Sequence, residues 1–286
     1  MRSVAALCMA LSTALSTAML LTACGTMEVG ERNFLRPDKP GAPAAPRLGI
    51  GALLKSGAAT DETIATPDGA VLRGVRLRQA SNARVLLYFG GNMFHLDQHG
   101  KDVLPLLASC GLDVAVFDYR GYGRSSGVPT LANMAADALR VFDHVSAQYP
   151  GGVIVHGQSL GSFMAAHVVQ HRPATRAVVL EATSSTVREW VDANVPWYAR
   201  LVTRVEVEPA LRAVDNVAAM SRHQGASLVL VGENDKVTPP QLARKVFDAI
   251  PGQSKKWFVA PGAGHNDIFG HKAVMPVYCG FVNSAM

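Results

Sequence analysis

The chain has no dense run of Lys or Arg and no basic stripe with aromatics set into it. Its formal charge is only +5. A nucleic-acid backbone is therefore not the partner it is built for. His and Cys do not cluster at metal-ligand spacing, so a zinc site finds no ligands. His95, His99, His156 and His171 read as structural or surface residues. No internal repeat recurs, which leaves no basis for a solenoid. Charged residues are few, 17% against 49% hydrophobic. That balance excludes a disordered chain, and 286 residues suffice for one large domain with a sizeable core.

The chain opens on a long uncharged stretch. Arg2 precedes residues 4–21, rich in Ala, Leu, Met, Ser and Thr, and the run ends in Leu21-Thr22-Ala23-Cys24. Such a layout predicts a signal peptide over residues 1–23. Its last four residues resemble a bacterial lipobox, in which the cysteine is lipidated and becomes the new N-terminus. The resemblance implies a lipid anchor on Cys24 and a place in the bacterial cell envelope. Gly25 after the cysteine favours the periplasmic face of the outer membrane. An uncleaved anchor helix and an ordinary signal peptide with an incidental cysteine are the alternatives. Residues 24–47 hold Pro37, Pro40, Gly41, Pro43 and Pro46, and read as a stiffened tether or surface wrap.

From residue 48 to 286 strands and helices alternate. Residues 63–66 and 71–77 flank Pro67-Asp68-Gly69, a hairpin signal. Strands are predicted at 84–89, 113–118, 152–156, 177–181, 227–232 and 256–260. Helices are predicted at 96–109, 131–148, 159–171, 239–250 and 271–283. This rhythm argues for an α/β fold with a doubly wound, mostly parallel sheet and an N-terminal antiparallel hairpin. Between 182 and 217 the rhythm breaks, with Trp190, Pro196, Trp197 and Tyr198 among mixed charges. That segment is expected to form a small cap over the strand ends, where ligands bind in open α/β sheets. Its aromatics serve either the cap's own core or substrate contact.

The most informative residues are Gly157-Gln158-Ser159-Leu160-Gly161. They follow Val153-Ile154-Val155 and precede a helical stretch beginning at Phe163. A G-x-S-x-G between strand and helix is a nucleophile elbow, whose flanking positions leave no room for side chains. The plain alternative is a Gly/Ser-rich turn. A serine hydroxyl needs an adjacent base, itself oriented by a third group. With such an elbow, the order along the chain is Ser, then Asp or Glu, then His. Asp235 follows the apolar Val229-Leu230-Val231, and His265 lies in a Gly-rich loop after the last strand. Asp235 can instead be a helix cap, with Glu233 and Asp267 as rivals, and His265 a solvated loop residue. The backbone N–H groups of Leu160 and Asn92, the latter in Gly90-Gly91-Asn92, are the expected oxyanion donors.

These pieces, with Asp118–Gly127, resemble the α/β-hydrolase superfamily from about residue 63 to the C-terminus. The branch is that of serine-aminopeptidase-like hydrolases, monoacylglycerol lipases and depalmitoylating thioesterases. The resemblance implies a serine hydrolase acting on a small acyl ester or thioester, with no metal and no cofactor. An aminopeptidase is the alternative chemistry, with Glu189 or Asp192 as candidates to hold an amine. A catalytically silent hydrolase fold that binds a lipid or partner is the alternative class. One departure is plain: Gly90 stands where relatives carry His, a residue that supports the oxyanion loop. The Asp118–Gly127 segment is expected to shape a loop near the site. In this fold the helix after the third strand and the last helix share a face of the sheet, which brings Cys110 and Cys279 into question as a pair. Two buried thiols and a disulfide both stay open.

Overall fold

The computed structural model describes residues 25–39, 41, 45–52, 58–79, 83–198 and 203–285. The predicted signal peptide and Cys24 lie outside them. In chain order the elements are β1 (Gly25–Val29), α1 (Glu31–Phe34), β2 (Ala58–Ala65), β3 (Val71–Arg78), β4 (Val85–Phe89), α2 (Leu96–Ala108) and β5 (Asp113–Phe117). Next come α3 (Leu131–Ser146), β6 (Val153–Gln158), α4 (Leu160–His171), β7 (Ala177–Glu181), α5 (Val187–Asn194) and β8 (Thr203–Val207). The last are α6 (Pro209–Arg212), α7 (Asn216–Met220), β9 (Ala226–Gly232), α8 (Pro240–Ala249), β10 (Lys255–Ala260) and α9 (Val274–Ser284).

Eight strands form one sheet in the order β10-β9-β7-β6-β4-β5-β3-β2. β2 pairs antiparallel with β3, and β3 antiparallel with β5; all other neighbours are parallel. Strands β4, β5 and β7 are buried along their whole length, as the apolar runs that make up nearly all of them require of strands covered on both faces. On one face α3, α4 and α8 cover Leu87, Val155, Leu180 and Val229. On the other, α2 and α9 cover Leu86, Ile154, Val179 and Leu230. This is the α/β-hydrolase fold.

Boundaries differ from the sequence reading in instructive places. β2 is longer than expected because Ala58–Thr63, though mostly exposed, pair with Arg73–Arg78. The last helix begins only at Val274, after a 3-10 turn over Ile268–Gly270. Residues 25–39 do not hang free as a linker. β1 pairs in parallel with β8, and Arg36 N–H donates to the Tyr122 hydroxyl (2.8 Å). His95 Nε2 lies 2.8 Å from Asp38. The 182–217 segment holds α5, β8, α6 and the start of α7, between β7 and β9.

Cys110 and Cys279 form a disulfide, with Cα atoms 5.0 Å apart. Cys110 follows the end of α2, and Cys279 lies within α9 on the same face of the sheet. Of the two readings the sequence left open, the structure holds the bridge.

Candidate active site

Ser159 sits between β6 and α4 with φ 53° and ψ −115°. A non-glycine residue at positive φ is costly, and the surroundings must enforce it. The glycines on either side explain how. A Cβ on Gly157 would lie 2.2 Å from the Gly161 carbonyl oxygen, and one on Gly161 2.0 Å from that of Phe89. Buried polar groups brace the turn from behind. Ser162 Oγ donates to the Ser159 carbonyl (2.7 Å), Thr183 to Ser162 (2.8 Å), and Asn216 Nδ2 to Thr183 (3.0 Å).

Two loops from successive strand ends reach the serine. His265, after β10, places Nε2 2.9 Å from Ser159 Oγ and Nδ1 2.8 Å from Asp235 Oδ2. Asp235 follows β9 and accepts from the N–H groups of Val237 and Thr238, each at 2.8 Å. The Thr238 hydroxyl also donates to it at 2.7 Å. Burial works against the Asp235 charge, but bonds from His265 and Thr238 outweigh it and hold the carboxyl below its usual range. An ionised Asp235 accepts the Nδ1–H, which leaves Nε2 free to accept the serine proton. Glu233 and Asp267 lie close by in sequence but are engaged elsewhere. Glu233 accepts from Gly262 N–H (2.8 Å) and Asp267 from Gly264 N–H (2.6 Å).

Leu160 opens α4, so its N–H has no intrahelical acceptor. The Gly90–Asn92 loop lies over the elbow: a Cβ on Gly91 would fall 2.3 Å from Gln158 Oε1 and 3.6 Å from Ser159 Cβ. No described residue accepts from the Leu160 or Asn92 N–H. The loop keeps its shape without a histidine at position 90. Phe94 packs where a Cβ on Gly90 would be, 2.3 Å from its Cγ. Tyr119 donates to the Gly90 carbonyl (2.8 Å), and Asn92 accepts from Tyr122 (2.9 Å) and Arg36 N–H (3.0 Å). The Asp118–Gly127 segment thus supplies two tyrosines that hold the loop. Its Asp118 carboxylate accepts from the N–H groups of Leu96 (2.7 Å) and Arg124 (2.9 Å).

A cavity of about 850 Å³ opens at Ser159. Phe34, Phe163, Trp190, Tyr88, Phe94 and Phe269 are among its apolar lining. A shallower depression of about 470 Å³, at the opposite ends of the strands beside Arg176 and Lys255, contains none of these groups. Sequence reasoning missed Thr238 and Glu181. Thr238 touches both Asp235 and His265, but a threonine three residues past an aspartate carries no mark of that in sequence.

Residues 81–224, half of the chain, match the family model described as serine aminopeptidase, S33. The chain belongs to this family. Its relatives include a lipase and proteins described as uncharacterized. The chain is 29% identical over 215 residues to the uncharacterized protein MT2364 of Mycobacterium tuberculosis, covering 73% of each. It is 29% identical over 194 residues to the mouse lysophosphatidylserine lipase ABHD12, covering 63% of this chain and 48% of that one. It therefore spans about half of that lipase. The structure of the Pyrococcus furiosus esterase Pf2001 superposes with a TM-score of 0.67 at 15% identity, covering 85% of this chain and 99% of that one. That likeness shows the shared fold.

Proposed function

We propose that this protein is a serine hydrolase that cleaves a carboxylic ester or thioester through an acyl-enzyme. The observation that carries it is the unbroken line Ser159–His265–Asp235, with links of 2.9 and 2.8 Å, at a strained elbow on the cavity floor. Ser159 Oγ attacks the acyl carbonyl while His265 Nε2 takes its proton. The Leu160 and Asn92 N–H groups stabilise the oxyanion, and His265 returns the proton to the leaving alcohol or thiol. Water, activated by the same imidazole, then releases the acyl group. Asp235 keeps the Nδ1 tautomer and stabilises the imidazolium. The largely apolar cavity and the lipase among the relatives support an acyl substrate.

The amide-cleaving alternative loses its two amine-holding candidates. Glu189 is bound by Ser185 and Lys245, and Asp192 by Arg188. Neither lines the cavity. For the location, we propose a lipid anchor on Cys24 and the periplasmic face of the outer membrane, on the strength of Leu21-Thr22-Ala23-Cys24. A fluorophosphonate probe tests the chemistry and its rival class together. The protein should label, and Ser159→Ala should neither label nor turn over p-nitrophenyl esters while melting as the wild type does. An unlabelled, folded wild type would mean a silent binding protein.

A further inference from the structure

Glu181 ends β7. Strand alternation turns its side chain to the α2/α9 face, along with Ala177 and Val179. His156 takes the same face on neighbouring β6. Its Nε2 lies 3.0 Å from Glu181 Oε2, and its Nδ1 2.9 Å from the Tyr278 hydroxyl on α9. His156 and Tyr278 are wholly buried, and Glu181 is 6% exposed. Burial, reinforced by the Glu181 charge, holds the Tyr278 phenol well above its ordinary pKa. The phenol therefore keeps its proton. The tautomer with hydrogen on Nε2 lets Tyr278 donate to Nδ1 and His156 donate to Glu181. The carboxylate is the end of this relay, and no described residue occupies its Oε1.

Glu181 and His156 both line the cavity that holds Ser159. The Glu181 carbonyl also accepts the Ser159 N–H (2.9 Å), so carboxylate and nucleophile belong to adjacent strand ends. Aromatic rings surround the histidine that backs the carboxylate. Tyr88 meets His156 edge-on at 5.0 Å, Phe94 meets Tyr88 at 5.7 Å, and Phe269 lies 6.1 Å from His156. All three rings line the cavity, and so does Asp102 on α2, a second carboxylate. Arg36 and His99 line the cavity as well.

A neutral acyl tail gains nothing from a buried carboxylate, and His156 engages only its Oε2, which leaves Oε1 open to a donor or cation. A cavity that carries aromatic rings as well as a negative group suits an organic cation. We infer that Glu181, backed by His156 in a cavity that Tyr88, Phe94 and Phe269 also line, is a subsite for an ammonium group, and that the substrate is an acyl ester bearing one. This deepens the serine-hydrolase reading and rests on it.

The test uses two matched pairs of esters. One puts the charge on the acyl end: p-nitrophenyl 6-(trimethylammonio)hexanoate against p-nitrophenyl 7,7-dimethyloctanoate. The other puts it on the alcohol end: hexanoylcholine against 3,3-dimethylbutyl hexanoate. In one pair the wild type should favour the cation in kcat/KM by about ten- to a hundredfold, the range of a charged contact. Glu181→Gln should bring that ratio towards one, chiefly through KM, and Glu181→Asp should restore part of it. No cation preference in either pair overturns the subsite. So does a Glu181→Gln enzyme that slows both members of a pair alike. If Glu181→Gln does not fold, inhibition of the wild type decides: hexyltrimethylammonium should compete at least tenfold better than hexanol, and equal inhibition refutes the proposal. Failure of probe labelling would instead sink the hydrolase reading itself.

Discussion

Removing the Cys110–Cys279 bridge should destabilise the protein about as much as a large core truncation. The two cysteines are 169 residues apart, so the bond closes most of the folded chain into one loop. In the loop-entropy account the denatured chain loses roughly 17 cal/mol/K on closing a loop of that length, or about 5 kcal/mol at 25 °C, as an upper figure. For a domain of this size 1 kcal/mol moves Tm by about 2–4 °C, so loss of the bond should lower it by about 10–20 °C. The assay compares oxidised wild type, wild type held in excess reductant, and Cys110→Ala/Cys279→Ala, by calorimetry and urea titration. The reduced wild type and the double variant should melt within a few degrees of each other and well below the oxidised protein. Peptide mapping without reductant should give one cross-linked peptide pair. Two separately alkylated thiols, with a Tm indifferent to reductant, would refute the reasoning.

Asp235→Asn should leave Tm within a few degrees and cut kcat by about 10³–10⁴, because the amide cannot support the imidazolium; the same loss in Asp267→Asn instead would move the acid to that residue. Asp118 titrates in a window of its own. Burial pushes its carboxyl up to about 6, against the pull of the Arg124 and Leu96 N–H groups. The folded state therefore binds this proton more tightly than the unfolded one. The Asp118 contribution is favourable below about pH 4 and declines by at most about 3 kcal/mol as pH rises to about 6. Urea titrations across that range should show the decline in wild type and its absence in Asp118→Asn; parallel curves would exclude it. Cys24→Ser should abolish incorporation of labelled fatty acid and release the protein from membranes, and mass spectrometry of the mature wild type should find residues 1–23 gone.

The candidate site was legible because its residues fall at strand ends. Ser159, Asp235 and His265 each follow a short apolar run, and the two glycines around Ser159 mark a turn that no side chain could enter. What lay hidden depends on contacts distant in sequence. β1 and β8 have no buried alternation, since they pair mainly with each other at the surface. Glu181 looked like the polar end of an apolar strand. Only the register of β6 on β7, and the return of α9 across the sheet, bring His156 and Tyr278 to it. The bracing of Gly90 by Tyr119 was equally out of reach, because the loop's supports come from three separate segments. The disulfide was undecided for the same reason: the common face was foreseeable, the 5.0 Å approach was not.

The pairing of β1 with β8 bears on how the enzyme would meet its substrate. β1 begins at Gly25, one residue past Cys24. A free linker adds reach at up to about 3.3–3.6 Å per residue, and here none is left between a lipid on Cys24 and a strand fixed to the domain. With the proposed anchor in place, the β1/β8 edge would be held against the bilayer at a set tilt. The enzyme would then search in two dimensions rather than three. Its effective substrate concentration would be a mole fraction of the surrounding lipid, and turnover would follow lateral diffusion and the ease of lifting one molecule out of the leaflet.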